Sequence, residues 1–332
     1  MGGTERSDGV EDRVEPVFAE GIAGVYLLAM KMHHFVETQQ FDRESLKELF
    51  AVASSLEGKR EESLKGRILA SLFYEPSTRT RLSFESAMLR LGGGVITMES
   101  GASSSQSKGE TLEDSIKVVS QYADVIVMRH SEVGAATRAA AVSKVPIINA
   151  GDGNMGQHPT QALLDLFTIQ SELRREDGIH VAFVGNLKYY RSPRSLAYLL
   201  GKYKDIKVTF VSAPELRMES DVLDYLRGHG VAVEETEEMG ESVKDADVLY
   251  QTRIAKEWIK NDADYERLRG RYVITRATAD AMKEGAIIIH PLPRVGEISE
   301  DVDESPHAVY FKQVAYGLLV RMAILKTIAN GG

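Results

Sequence analysis

The sequence predicts an α/β protein built from two doubly wound parallel-sheet domains with an active-site cleft between them. A chain of 332 residues is too long for one compact core and fits two domains of ordinary size. Short runs rich in Val and Ile alternate with helix-period segments, the pattern of βα units around a mostly parallel sheet. Polar turns rich in glycine, serine or threonine follow several of these runs, at the edge where such sheets bind ligands.

The strand candidates are residues 68–74, 95–98, 125–128, 146–149, 181–184, 208–211, 248–250 and 287–290. Helical spacing connects Leu46, Leu49, Phe50 and Ala53, then Phe84, Ala87, Met88 and Leu91, then Leu163, Leu166, Phe167 and Gln170. The division is expected in the helix starting at Pro159, because the run at Val181 opens a fresh βα series. Leu318, Leu319, Met322, Leu325 and Ile328 mark a closing helix within 316–329, expected to pack back on the first domain. Residues 31–160 with 312–332 therefore form the first domain and 161–311 the second. Residues 1–30 are expected to be a partly disordered extension. No internal repeat or low-complexity tract is visible.

Hydrophobic residues make up 43% and charged residues 27%, a globular balance. The net charge of −9 gives a surface field that repels nucleic acid and anionic membrane, so a bound anion must be held by a local cluster of donors. The chain has no cysteine, which excludes disulfides, thiolate metal sites and a cysteine nucleophile, and points to the cytoplasm. The apolar run at 21–30 is too short to span a membrane, and the acidic residues before it make a poor secretory signal.

The most informative stretch is Phe73-Tyr74-Glu75-Pro76-Ser77-Thr78-Arg79-Thr80-Arg81, between a buried strand and a helix. Unpaired N–H groups and the positive dipole end of that helix attract a dianion. Ser77, Thr78 and Thr80 add hydroxyl donors, and Arg79 a guanidinium fork. The plainer alternative makes Ser77 or Thr78 an N-cap and leaves the arginines solvated. Ser103-Ser104-Ser105-Gln106-Ser107-Lys108 is a second polar loop, either a source of one more cation or simply a surface loop. Arg129 ends a buried strand, and His158 and Gln161 follow a glycine-rich turn with Pro159 at the first helical turn. His158 donating to a carbonyl oxygen while Gln161 accepts from an amide NH2 would suit a carbamoyl group.

Ser77-Thr78-Arg79-Thr80-Arg81, His158-Pro159-Thr160-Gln161 and His290-Pro291-Leu292-Pro293-Arg294 resemble, in order and spacing, the three signature segments of the aspartate and ornithine carbamoyltransferase family. The similarity runs from about Leu46 to Leu325. Ornithine enzymes place a cysteine after the third-signature histidine, and Pro291-Leu292 here favours aspartate. The resemblance implies transfer of the carbamoyl group of carbamoyl phosphate to L-aspartate, a committed step of de novo pyrimidine biosynthesis, with no metal or other cofactor. It implies that Ser77, Thr78, Arg79 and Thr80 hold the phosphate with Arg129, and that His158, Gln161, Pro291 and Leu292 hold the carbamoyl end. Arg79, Thr80, Arg129 and His158 are the catalytic candidates. Arg191 and Arg253 match the family's aspartate-binding arginines, with Lys108 and Leu292 also touching aspartate and Glu257 holding Arg253. Ser104 and Lys108 are expected to act in a neighbouring subunit's site, which makes the working unit a homotrimer with shared active sites, open to regulatory subunits.

The chain departs from the family at Tyr190, Pro193, Ala255 and Trp258, all near the acceptor arginines. Tyr190 and Pro193 are expected to alter the local backbone. A carbamoyltransferase with a different amine acceptor is the main alternative, and a catalytically silent binding subunit the second. A nicotinamide dehydrogenase is disfavoured because Val184-Gly185-Asn186-Leu187 lacks the G-x-G-x-x-G turn.

Overall fold

The computed structural model describes residues 33–99, 109–259 and 261–329. The expected N-terminal extension and the loop carrying Ser104 and Lys108 lie outside the described residues.

The sequence prediction of two parallel sheets holds. The first contains β1 (Ile68–Phe73), β2 (Gly94–Glu99), β3 (Val125–His130) and β4 (Ile147–Asp152), in the order β2-β1-β3-β4. The second contains β5 (His180–Val184), β6 (Lys207–Val211), β7 (Ala232–Thr236), β8 (Val248–Gln251) and β9 (Ile287–Ile289), in the order β7-β6-β5-β8-β9. Every pairing between these strands is parallel. Eight strands overlap the runs read from the sequence, and β7 was not among them. It carries Glu234 and Glu235 and, among the described residues, pairs only with β6, so its outward charges blunt an open edge and hide the strand from a search for apolar runs.

Side-chain caps set several helix starts: Asp42 accepts from the Ser45 amide before the Arg43–Ser55 helix, and Thr111 from the Asp114 amide before Leu112–Val119. The closing helix, Tyr310–Ala329, begins six residues earlier than its apolar spacing indicates and packs on the Arg43–Ser55, Thr78–Arg90 and Pro159–Leu173 helices. Residues 159–169 are buried throughout, and the apolar side chains there join the cores of the two sheets into one continuous cluster. The outer face of the second sheet packs separately around Leu249, Tyr272, Ile274 and Ile288.

All strands of a sheet point the same way, so their carboxyl ends form one edge. In each sheet the chain order reverses, beside β1 and beside β5, and the loops leaving neighbouring strands there diverge and open a crevice.

Burial holds His34 (at about 4), His130, His158, His180 and His290 below the ordinary histidine range. The unfolded chain takes up protons on these groups near 6.5, and the folded chain takes them up only at lower pH. The stability they contribute is full above 6.5 and is lost as pH falls toward their folded values. Asp165, which burial raises to about 7, opposes this as a single group. The midpoint of thermal unfolding is expected to fall between pH 7 and pH 5; calorimetry showing an equal or higher midpoint at pH 5 would refute this balance.

Candidate active site

Six strands contribute to one cavity of about 520 Å3: its walls come from the segments that follow β1, β4, β5, β8 and β9, from Arg129 near the end of β3, and from the closing helix. After β1 the chain turns through Glu75 and Pro76 into the Thr78–Arg90 helix. Ser77 occupies the N-cap position with extended backbone and makes no side-chain capping bond. Ser77 is thus the N-cap by position, as the plainer alternative had it, while its hydroxyl and the first amides of a 13-residue helix can meet a ligand. Thr80 is buried and Arg79 faces the cavity. Burial, and next the nearby Arg253, hold the Arg79 guanidinium below its usual range.

Arg129, on β3 of the first sheet, and Arg191, at the start of the Arg191–Leu200 helix of the second, meet at Glu75. The Glu75 carboxylate accepts from Arg129 Nη2 at 2.6 Å and from Arg191 Nη2 at 2.9 and 3.1 Å. Burial pushes the Glu75 carboxyl up, but Arg191 and Arg129 together hold it below the usual carboxylate range. Arg129 is lowered to about 10, by burial first and then by Arg191, and stays charged at neutral pH. Gly151 is what lets the two guanidinium groups pass: it has a φ of +111°, and a Cβ there would sit 3.0 Å from Arg191 Nε and 3.1 Å from Arg129 Nη1.

His158 is buried and neutral, since burial first, then Arg129 and Arg191, hold its pKa well below the ordinary value. A neutral imidazole keeps one N–H to donate. Its backbone N–H is tied to Ser195 Oγ at 2.9 Å, and Gln161 lies one turn further along the helix, on the same wall. The third signature turns sharply: Leu292 has a φ of +59° and the Leu292–Pro293 bond is cis. The Leu292 N–H donates to His290 Nδ1 at 2.7 Å, so His290 carries its proton on Nε2 and donates it to Glu297 at 2.7 Å. This fixes the Pro291-Leu292 turn against the cavity.

At the other end, Arg253 Nε donates to the Tyr190 hydroxyl at 3.2 Å and its Nη2 pairs with Glu257, as the four-residue spacing predicts. Trp258 stacks on Tyr189, with ring centroids 5.9 Å apart, and both line the cavity. The expected backbone disturbance at Tyr190 and Pro193 takes a mild form. Tyr190 has an extended backbone open to any residue, and Pro193 falls in the first turn of its helix, where no N–H partner is lost. Ala255 is buried.

Of the residues predicted from sequence, Ser77, Thr78, Arg79, Thr80, Arg129, His158, Gln161, Arg191, Arg253, Pro291 and Leu292 all border this one cavity. Ser104 and Lys108 lie outside the described residues. Sequence reading gave no role to Glu75, Glu297 or Arg321. Glu75 and Glu297 sit inside or beside signature segments where the arginines and histidines drew attention. Arg321 had a signal, a lone cation in the apolar run 318–325.

Fold and site together define an enzyme that handles an anionic ligand at the joined carboxyl edges of two parallel sheets, with four guanidinium groups, Arg79, Arg129, Arg191 and Arg253, facing one space. Residues 33–171 match the aspartate/ornithine carbamoyltransferase carbamoyl-P binding domain, and residues 177–328 match the Asp/Orn binding domain of the same family. The aspartate carbamoyltransferase catalytic subunit of Methanocaldococcus jannaschii is 50% identical over 302 residues, covering 90% of this chain and 98% of that protein. The chloroplastic aspartate carbamoyltransferase 3 of Pisum sativum is 52% identical over 303 residues, covering 89% of this chain and 77% of its own. Among solved structures, the Trypanosoma cruzi aspartate transcarbamoylase in complex with carbamoyl phosphate and aspartate superposes with a TM-score of 0.85 at 40% identity, covering 92% of this chain and 98% of that one. The chain belongs to the aspartate/ornithine carbamoyltransferase family.

Glu75→Gln removes the charge between two cations and is expected to lower the unfolding temperature. Added inorganic phosphate should then raise that temperature by more in the variant than in wild type. A thermal-shift titration in which phosphate stabilises wild type as much as the variant would count against this account of Glu75.

Proposed function

We propose that the chain transfers the carbamoyl group of carbamoyl phosphate to the amino group of L-aspartate, yielding N-carbamoyl-L-aspartate and phosphate. The observation that carries this reading is the convergence on one cavity of a phosphate-type helix N-terminus, a neutral imidazole beside a glutamine, and two guanidinium groups from the second sheet's loops. Ser77, Thr78, Arg79 and Thr80 grip the phosphate, with Arg129 beside them. His158 donates to the carbamoyl oxygen, and Gln161 with the Pro291 and Leu292 carbonyls receives the amino group. Arg191 and Arg253 each pair with one carboxylate of aspartate.

The neutral amine attacks the carbamoyl carbon, the bond from that carbon to the phosphate oxygen breaks, and the departing phosphate takes the amine proton. Thr80, Arg129 and His158 stabilise the negative charge that builds on the carbonyl oxygen, in a site where the donors are already in place. No dedicated base is needed. Glu75 gives the empty cavity an internal anion that the ligand's oxygens replace at Arg129 and Arg191. Arg79→Ala or His158→Ala is expected to lower kcat by at least about 10²–10³-fold while circular dichroism stays unchanged. Wild-type turnover in either variant would remove that residue from the mechanism.

We place the working unit as a homotrimer with shared sites. β2 is an edge strand leading into the loop that carries Ser104 and Lys108, and Leu82 and Leu89, seven residues apart on one face of the adjoining helix, are 52% and 62% exposed. If Lys108 serves a neighbour's site, mixing inactive Arg79→Ala and Lys108→Ala chains restores activity through hybrid sites that carry neither change. Native mass at three chains with no recovery on mixing would refute sharing. The M. jannaschii relative is named a catalytic subunit, which supports a capacity for regulatory partners. For compartment we favour the cytoplasm on the cysteine-free composition; the pea relatives are named as chloroplastic, and no described helix is long and apolar enough to cross a membrane.

Tyr190 and Trp258 sustain a second reading, in which the acceptor is another acidic amine, because their rings narrow the space around Arg253. Phosphate release measured with aspartate, glutamate and ornithine decides between the two. Tyr190→Phe, which unhooks Arg253 Nε, is expected to raise KM for the preferred acceptor by about 2- to 10-fold with little change in KM for carbamoyl phosphate. Equal changes in both constants would show that Tyr190 acts on the whole cavity.

A further inference from the structure

Asp165 lies one turn beyond Gln161 on the Pro159–Leu173 helix and is completely buried, yet three donors converge on it. Gln161 Nε2 is 2.8 Å and Gln313 Nε2 is 2.5 Å from Oδ1, and the Tyr250 hydroxyl is 2.9 Å from Oδ2. Chemistry fixes which end of each amide faces the carboxylate. The His290 backbone N–H donates to Gln313 Oε1 at 3.0 Å, which leaves Gln313 its NH2 for Asp165. A carboxylate only accepts, so Gln161 also turns its NH2 to Asp165 and its Oε1 away from it. Both glutamines line the cavity.

Arg321, 5% exposed on the closing helix, supplies compensating charge, and its Nε has no hydrogen-bond partner among the described residues. Gly317 makes room for it, since a Cβ there would meet Arg321 Nη1 at 2.9 Å. Burial raises the Asp165 carboxyl to about 7 against the pull of Tyr250, Gln161, Gln313 and Arg321, which leaves it ionised on the alkaline side of neutrality. An apolar residue would avoid that desolvation cost. What the carboxylate supplies is a direction for two amides.

Resting on the carbamoyltransferase reading above, we propose that Asp165 is a positioning residue that sets the polarity of the donor site. It turns the Gln161 oxygen, and through Gln313 the backbone at His290-Pro291-Leu292, toward the amino group of the carbamoyl end. The site thereby selects an acyl phosphate bearing N–H over its methyl isostere, because an acceptor built to be filled is left unpaired by CH3.

The test is discrimination between carbamoyl phosphate and acetyl phosphate, which differ by NH2 against CH3. Both are measured by displacement of a bound ligand, and carbamoyl aspartate formation by the wild type is measured separately. No product from a wild type that still discriminates would sink the reaction but not the inference. In Asp165→Asn, which keeps the volume but can offer its own NH2 to Gln161, discrimination is expected to fall about tenfold. Gln161→Met loses as much, and the double variant loses no more than either alone. Tyr250→Phe, which removes the Oδ2 donor and leaves both Oδ1 donors in place, retains discrimination. Undiminished discrimination in folded Asp165→Asn, additive losses in the double variant, or an equal loss in Tyr250→Phe would each overturn the proposal. If Asp165→Asn does not fold, hydrogen exchange at the Gln161 side-chain NH2 in the wild type carries the test. Slow exchange supports an NH2 facing Asp165, and exchange at the rate of an exposed glutamine overturns it.

Discussion

The architecture of the cavity rests on a single carboxylate held between two guanidinium groups. Arg129 belongs to the first sheet and Arg191 to the second, and like charges brought this close in a half-buried space repel. Glu75 resolves the conflict by accepting from both. Removing one partner from such a buried arrangement typically costs about 3–5 kcal/mol, because the remaining charges lose both water and partner. The same contact ties the two sheets together across the crevice, beside the Pro159–Leu173 helix whose apolar side chains join their cores.

That arrangement also explains how a net acidic protein attracts anionic substrates. The overall charge of −9 is unfavourable for an anion at long range. Close to the cavity, four guanidinium groups and a helix N-terminus reverse the local sign. Glu75 and Glu257 neutralise part of this charge without removing it. The neutral imidazole of His158 belongs to the same design: burial first, and then the nearby arginines, keep it unprotonated and so available as a single directed donor.

Behind the groups that line the cavity, acids and amides hold their orientation. Glu297 holds His290, which holds the Leu292 amide, while Asp165 holds Gln161 and Gln313. These contacts restrict rotamers that would otherwise sample several directions, and a misplacement of about 1 Å is expensive in a site that works by alignment.

Much of this was legible in the order of residues. Runs of Val and Ile gave eight of the nine strands because parallel strands are buried on both faces, and β7 escaped because its outward glutamates conceal the pairing. The cations and the histidine of the site were legible because they stand just after strands, where backbone direction alone places them at the carboxyl edge. The sequence by itself determined the two sheets, the family and most of the polar groups that line the cavity, since these follow from local period and short motifs. Only the tertiary structure decided how polar groups separated by more than a hundred residues pair: Glu75 with Arg191, and Asp165 with Gln313 across 148 positions. Pairing of that kind depends on distance in space, and no periodicity along the chain encodes it.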